Sequence, residues 1–171
     1  MRLQKCIFLD RDGVLNRERG DYTFKLEDFE IVAGVKEGLE ILKKSGYLLI
    51  VITNQAGIAK GLYDRDDVLN CHLFLQAQIG HLIDDIYFCP HYPETTQSLL
   101  RKPDSLMLEK AIAKWDVDPD MSYMVGDSQR DLQAAEKVEV KGILVGDKEA
   151  EKVAAPKAKN LLDAVHKFII N

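Results

Sequence analysis

Two aspartates, Asp10 and Asp12, stand where a short apolar run, Cys6-Ile7-Phe8-Leu9, gives way to Gly13. Carboxylates this close repel one another unless a cation or a shared proton lies between them. The simplest chemistry for the pair is a metal-assisted nucleophile beside an acid/base. Asp-x-Asp-Gly also reads as a plain turn, because Asp and Gly both favour turns. It lacks the glutamate and the further oxygen ligands of a calcium loop at the required spacing. The four apolar residues before it read as a strand buried on both faces of a parallel sheet. Gly13 lets the chain leave that sheet sharply. The aspartates then sit at the carboxyl end of a strand, where open α/β sheets bind ligands.

Three other segments carry polar groups at the same kind of place. Tyr47–Thr53 is a strongly apolar strand that ends in Thr53-Asn54-Gln55, whose hydroxyl, amides and main-chain N–H groups can hold an anion. A Thr-Asn turn explains the same residues without a ligand. Arg101-Lys102-Pro103 puts two cations just before an expected helix, where the helix dipole favours anions; an anionic ligand would resolve the mismatch, and so would solvation. Gly126-Asp127, with Asp131 four residues on, brings further carboxylates that could complete a hard oxygen site for Mg²⁺.

The elements that must position these groups alternate. Strands are expected at about 5–10, 47–53, 83–89, 122–126 and 141–145, and helices at about 34–45, 64–80, 103–115, 128–138 and 159–169. Pro103 is expected near the first position of its helix. Single helices between strands imply right-handed βαβ units, hence a doubly wound, Rossmann-like parallel sheet with helices on both faces. Residues 1–171 are read as a single domain. The intervals from Asp10 to Thr53 and from Thr53 to Lys102 are each used by one helix plus a strand or loop, so no room remains for a separate cap. Loops 16–33 and 90–101 are then expected to shape the site, and the charged stretch 147–152 to be solvated.

Composition excludes several classes. The 171 residues are 46% hydrophobic with a net charge of −5, which argues against disorder and against a nucleic-acid surface. No apolar stretch approaches a bilayer span, and the apolar residues before Asp10 are too few for a secretory segment. Three cysteines fit a reduced, cytoplasmic setting rather than a disulfide scaffold. A monomer is expected.

In order, Asp10-x-Asp12-Gly13, Thr53, Lys102-Pro103 and Gly126-Asp127…Asp131 resemble the four motifs of the haloacid dehalogenase (HAD) superfamily, over residues 5 to about 146. Asp10-Arg-Asp-Gly-Val-Leu-Asn16, Thr53-Asn-Gln-Ala-Gly-Ile-Ala59, Cys89-Pro-His91 and Arg101-Lys-Pro103 resemble its histidinol-phosphatase-like group. The segments 57–61 and 84–90 are closer to the heptose-bisphosphate branch of that group.

The resemblance implies a Mg²⁺-dependent phosphomonoesterase acting on a small phosphorylated metabolite. Heptose 1,7-bisphosphate is the expected substrate, dephosphorylated at the 7-position on the way to nucleotide-activated heptose for lipopolysaccharide. Histidinol phosphate is the alternative, and a catalytically silent phosphate or metal binder is the alternative of another class. By the same resemblance Asp10 is the nucleophile and Asp12 the acid/base. Mg²⁺ is held by Asp10, Asp127 and the main-chain carbonyl of Asp12. Thr53 and Lys102 bind the transferring phosphoryl group. Asn54, Gln55, Arg101, Glu18 and Arg19 contact the substrate, with loop 18–22 on the leaving-group side. Asp131 supports Lys102 or a metal-bound water. The group's zinc loop is broken here: Cys89 and His91 remain, but Ser98-Leu99-Leu100 replaces the second cysteine pair, and two ligands do not make a structural zinc site. No stable zinc is expected. Ser128 stands where the heptose branch often has lysine.

Overall fold

The computed structural model describes residues 3–147, 149 and 152–170. Strands β1 (Cys6–Leu9), β2 (Leu48–Asn54), β3 (Asp85–Cys89), β4 (Tyr123–Gly126), β5 (Lys141–Val145) and β6 (Lys157–Ala158) form one sheet in the order β3-β2-β1-β4-β5-β6. Every pairing is parallel, with β1 central between β2 and β4. This is the doubly wound order, with its reversal at β1. Helices α1 (Val35–Lys44), α2 (Arg65–Ile79), α3 (Leu106–Trp115), α4 (Gln129–Glu136) and α5 (Leu161–Ala164) cross between or follow the strands.

The alternation of β1 explains the two cores. Ile7 and Leu9 point to one face and pack with Leu39 and Leu42 of α1, Leu75 of α2 and Leu161 of α5. Cys6 and Phe8 point to the other, with Met107 and Leu108 of α3 and Ala134 and Ala135 of α4. All four β1 side chains are fully buried, as a central parallel strand requires. Helix α2 opens on a capping box, Asp64 with Asp67, and closes at Gly80 in the left-handed conformation.

The structure departs from the sequence reading at three elements. Helix α3 begins at Leu106, not at Pro103; Lys102-Pro103 lies in a turn, joined by a cis peptide, whose Asp104 N–H returns to the Arg101 carbonyl at 2.8 Å. Strand β6 was not expected, because two residues give no readable period. The last helix is α only to Ala164 and continues as a wider π-coil over Val165–Ile169. The charged stretch 147–152 falls largely outside the described residues.

At the opposite end of the sheet from the strands' carboxyl ends, Asp85 opens β3 and accepts from Lys114 Nζ (2.7 Å) and from the indole Nε1 of Trp115 (2.9 Å). Trp115 thereby anchors the end of α3 against the sheet. Among the described residues, no helix is long and apolar enough to cross a membrane.

Candidate active site

The chain leaves β1 with Asp10, whose N–H still pairs with the Val125 carbonyl of β4 at 3.0 Å. It then closes into a tight loop in which the Arg11 carbonyl accepts from Leu15 (2.8 Å) and Asn16 (3.1 Å). Gly13 is required twice over. Its φ is +87°, and a Cβ there would collide with the Asp127 carboxylate.

Lys102 is the electrostatic centre. It is 2% exposed, and its Nζ lies 2.7 Å from the Ile52 carbonyl, 2.9 Å from Asp10 Oδ1 and 2.6 Å from Asp131 Oδ1. Burial works against its charge, but Asp10 and Asp131 outweigh that and raise its pKa above the ordinary lysine value. Asp131 supports Lys102 with one oxygen. With the other it caps α4, accepting from Ser128 N (3.1 Å) and Ser128 Oγ (3.0 Å). Gly126 leaves the space that the Asp131 side chain occupies.

Asp10 is the strained member. Burial pushes its carboxyl up to about 8, aided by Asp131 and Asp127 and opposed by Lys102. Its Oδ1 is held by Lys102 and by the Arg11 N–H at 2.7 Å, which leaves Oδ2 for a bond to phosphorus or a cation. Carboxylate oxygens of Asp10, Asp127 and Asp131 lie within 4.8 Å of one another. Three clustered carboxylate oxygens, one on a carboxyl that burial and neighbouring like charge push up, fit a hard divalent cation such as Mg²⁺.

Asp12 is arranged differently. Its Oδ1 accepts from Arg11 Nη2 (2.9 Å) and Nε (3.3 Å) and from Asn16 Nδ2 (2.9 Å). Its Oδ2 meets Gln55 Nε2 at 3.0 Å. The side chain is thus committed to protein donors, which leaves its main-chain carbonyl as the group it could offer a metal. Arg11, a mere spacer in the sequence pattern, is fully buried and also donates from Nη2 to the Thr23 carbonyl at 2.7 Å.

These residues line a cleft of about 380 Å³ at the carboxyl ends of β1, β2 and β4. Asp10, Asp12, Asn54, Gln55, Glu18, Arg101, Lys102, Asp127 and Asp131 all contribute to its wall. Thr53 is fully buried beneath it, accepting from Gln55 Nε2 at 3.0 Å. Arg19 is not brought into the wall; it pairs with Asp28 at 2.9 Å instead. The Asn54 amide is paired both ways with the Lys102 main chain, Lys102 N to Oδ1 and Nδ2 to Lys102 O, each at 3.1 Å. Tyr22 and Thr23 also line the cleft, from the loop expected to shape it, and so does Arg130, which nothing in its local sequence marked. Lys60 sits over the rings of Tyr92 (4.0 Å) and Tyr22 (5.4 Å), joining the two loops expected to shape the mouth. Cys89 is fully buried at the end of β3, and its carbonyl accepts from the Gln55 N–H at 2.7 Å. Among the described residues, the one cluster of three potential metal ligands is the aspartate group, which includes neither Cys89 nor His91.

Residues 99–167 match the HAD-hydrolase-like family. The chain is 41% identical over 147 residues to the D-glycero-beta-D-manno-heptose-1,7-bisphosphate 7-phosphatase of Haemophilus ducreyi, covering 81% of this chain and 80% of that protein. The chain belongs to the heptose-bisphosphate phosphatase family of HAD-type phosphomonoesterases.

A second member of this family, the D-glycero-alpha-D-manno-heptose-1,7-bisphosphate 7-phosphatase of Burkholderia mallei, is 39% identical over 160 residues, 88% of this chain and 84% of that one. A crystal structure of D,D-heptose 1,7-bisphosphate phosphatase from B. bronchiseptica, complexed with magnesium and phosphate, superposes with a TM-score of 0.88. It is 27% identical, over 95% of this chain and 97% of that chain. The fold class and the phosphatase chemistry expected from the sequence are those of the family.

Proposed function

We propose that the cleft removes the 7-phosphate of a D-glycero-D-manno-heptose 1,7-bisphosphate, feeding the synthesis of nucleotide-activated heptose. The observation that carries this reading is the pairing of the strained Asp10 carboxylate with Lys102 beside an acid/base, Asp12, held by different partners. Lys102 beside Asp10, and Mg²⁺ when bound, would favour the ionised nucleophile, while Asp12, held by other partners, is left to carry the proton. The relatives' shared activity supports the choice of substrate.

In this reading Asp10 Oδ2 bonds to phosphorus as the ester P–O bond breaks, giving an aspartyl-phosphate. Asp12 gives its proton to the leaving sugar oxygen. It then takes a proton from water, whose oxygen attacks phosphorus, breaks the Asp10–phosphorus bond and releases phosphate. Oδ1 of Asp12 already accepts from three N–H groups, so the travelling proton is carried on Oδ2. Mg²⁺, held by Asp10, Asp127 and the Asp12 carbonyl, would supply charge stabilisation on the phosphoryl oxygens. Lys102 adds fixed positive charge on the same side. Asn54 serves the site through Lys102, whose main chain it clamps.

A second phosphate needs a second cationic site. Arg101 and Arg130 both line the cleft, and burial together with the nearby Arg130 charge lowers the Arg101 pKa. Two guanidiniums on the wall of one cleft favour an anion near them. They supply positive charge near the place where Ser128 leaves none.

Phosphate release in Mg²⁺, with heptose 1,7-bisphosphate against histidinol phosphate and Asp10→Asn alongside, tests this. Turnover of the heptose substrate, abolished by Asp10→Asn, is the expected result. Turnover of histidinol phosphate alone overturns the substrate, and no metal-dependent release from any phosphate overturns the chemistry in favour of a silent binder.

A further inference from the structure

Tyr63 lies on the segment between β2 and α2, outside the four motifs. It is 7% exposed, and its hydroxyl donates to Gln55 Oε1 at 2.8 Å. The same Gln55 amide donates from Nε2 to Asp12 Oδ2 and to Thr53 Oγ, each at 3.0 Å. The Tyr63 ring stacks on Phe24 at 5.0 Å and meets Tyr22 edge-on at 5.8 Å, both from the loop at the cleft mouth. Its other side rests against Gly57, where a methyl group would collide with the ring.

The amide has two possible orientations, and they have opposite effects on an acid. As observed, Asp12 Oδ2 faces N–H, a donor, which cannot take a proton; a proton on Oδ2 must point elsewhere, toward the cleft. Turned over, the amide would set Oε1 against Oδ2, and the Asp12 proton would be captured in a hydrogen bond to it. The neighbour that distinguishes the two orientations is Tyr63, whose O–H must find an acceptor in a buried site. Burial pushes the phenol up to about 12, with the Arg11 charge working the other way, so it stays a donor throughout the working pH range.

Resting on the phosphatase reading above, we propose that Tyr63 is a positioning residue: through Gln55 it keeps the Asp12 proton directed at the leaving group. The ring contacts tie this orientation to the ordering of the mouth loop. Arg11, which bridges Asp12 and the Thr23 carbonyl, forms a second link between the same loop and the same carboxylate.

The test compares two leaving groups. A sugar alkoxide needs protonation as it departs, whereas p-nitrophenolate does not. The ratio kcat/KM reports phosphoryl transfer to Asp10 and omits the later hydrolytic step. For Tyr63→Phe, kcat/KM on heptose 1,7-bisphosphate falls about tenfold, through kcat rather than KM, and on p-nitrophenyl phosphate less than threefold. Gln55→Glu, which presents only acceptors to Asp12, shows the same selectivity with a larger loss. Thermal melting of each variant confirms that it is folded. Equal losses on both substrates would mean that Tyr63 is structural, and no loss on the heptose substrate would mean that its hydroxyl is idle; either refutes the proposal. Wild-type protein inactive on both phosphates would instead refute the phosphatase reading on which it rests.

Discussion

Asp10→Asn should stabilise the metal-free protein while destroying its chemistry. Asparagine keeps an oxygen for the Arg11 N–H and for Lys102 Nζ, now 2.7 Å and 2.9 Å from Oδ1, but removes one charge from three clustered carboxylates. Asp10 titrates near 3.8 when unfolded and at about 8 when folded. Between those values the native state binds a proton that the unfolded state has released, so stability falls as pH rises through the window. At about 1.4 kcal/mol per pH unit, the rise sets a ceiling of about 5 kcal/mol at pH 8. Relaxation of the cluster and titration of its neighbours reduce this to about 2 kcal/mol, or about 5 °C in Tm for a chain of this size. Thermal unfolding in EDTA at pH 5 and pH 8 measures it. The variant should be the more stable at pH 8, with the advantage at least halved at pH 5. Millimolar Mg²⁺ should then raise the wild-type Tm at pH 8 more than that of the variant. A variant less stable than wild type at pH 8, or equally advantaged at both pH values, would refute the electrostatic account of this site.

Other outcomes follow from named contacts. Lys102→Met leaves Asp10 and Asp131 buried without their cation and should cost about 3–5 kcal/mol in chemical denaturation, with loss of phosphate release. Gly13→Ala must hold φ +87° and displace Asp127, so activity should fall at least a hundredfold and stability by about 2 kcal/mol or more, read by kinetics and melting. His72 is buried near Arg11, and burial chiefly lowers its pKa to about 4, so the fold loses stability as pH drops from 6.5 toward 4; His72→Gln should flatten that acid limb in a Tm-against-pH series. Metal analysis of purified protein should find zinc well below one per chain, and Cys89→Ser should retain phosphatase activity.

The candidate site was legible because its residues follow a simple rule: each polar group ends, directly succeeds or closely follows an apolar strand. Asp10, Thr53 and Asp127 are found that way, and the central position of β1 follows from its unbroken apolar run. What could not be read were contacts between distant segments. Arg11 was only the x of Asp-x-Asp, and arginine is rarely fully buried; its burial depends on Asp12 and on the Thr23 carbonyl closing over it. Asn54 was expected to contact the substrate and does line the cleft; its pairing with the Lys102 main chain 48 positions away could not be read. The start of α3 was misplaced because Pro103 suits a first helical turn as well as the tight turn it occupies. Tyr63 carries no local signal at all, as its partners lie just beyond β2 and in the mouth loop.

Trp115, the single tryptophan, belongs to the far side of the sheet from all this. Its indole is fixed to Asp85 at the first residue of β3, and about 13 Å of strand, at roughly 3.3 Å per residue, separates that end from Cys89 beside the cleft. Its emission therefore reports the docking of α3 on the sheet, and hence global unfolding, while remaining silent to events at the mouth. The rings of Tyr22, Tyr63 and Tyr92 gather at the opposite end. Excitation selective for tryptophan therefore follows the fold without a contribution from these rings.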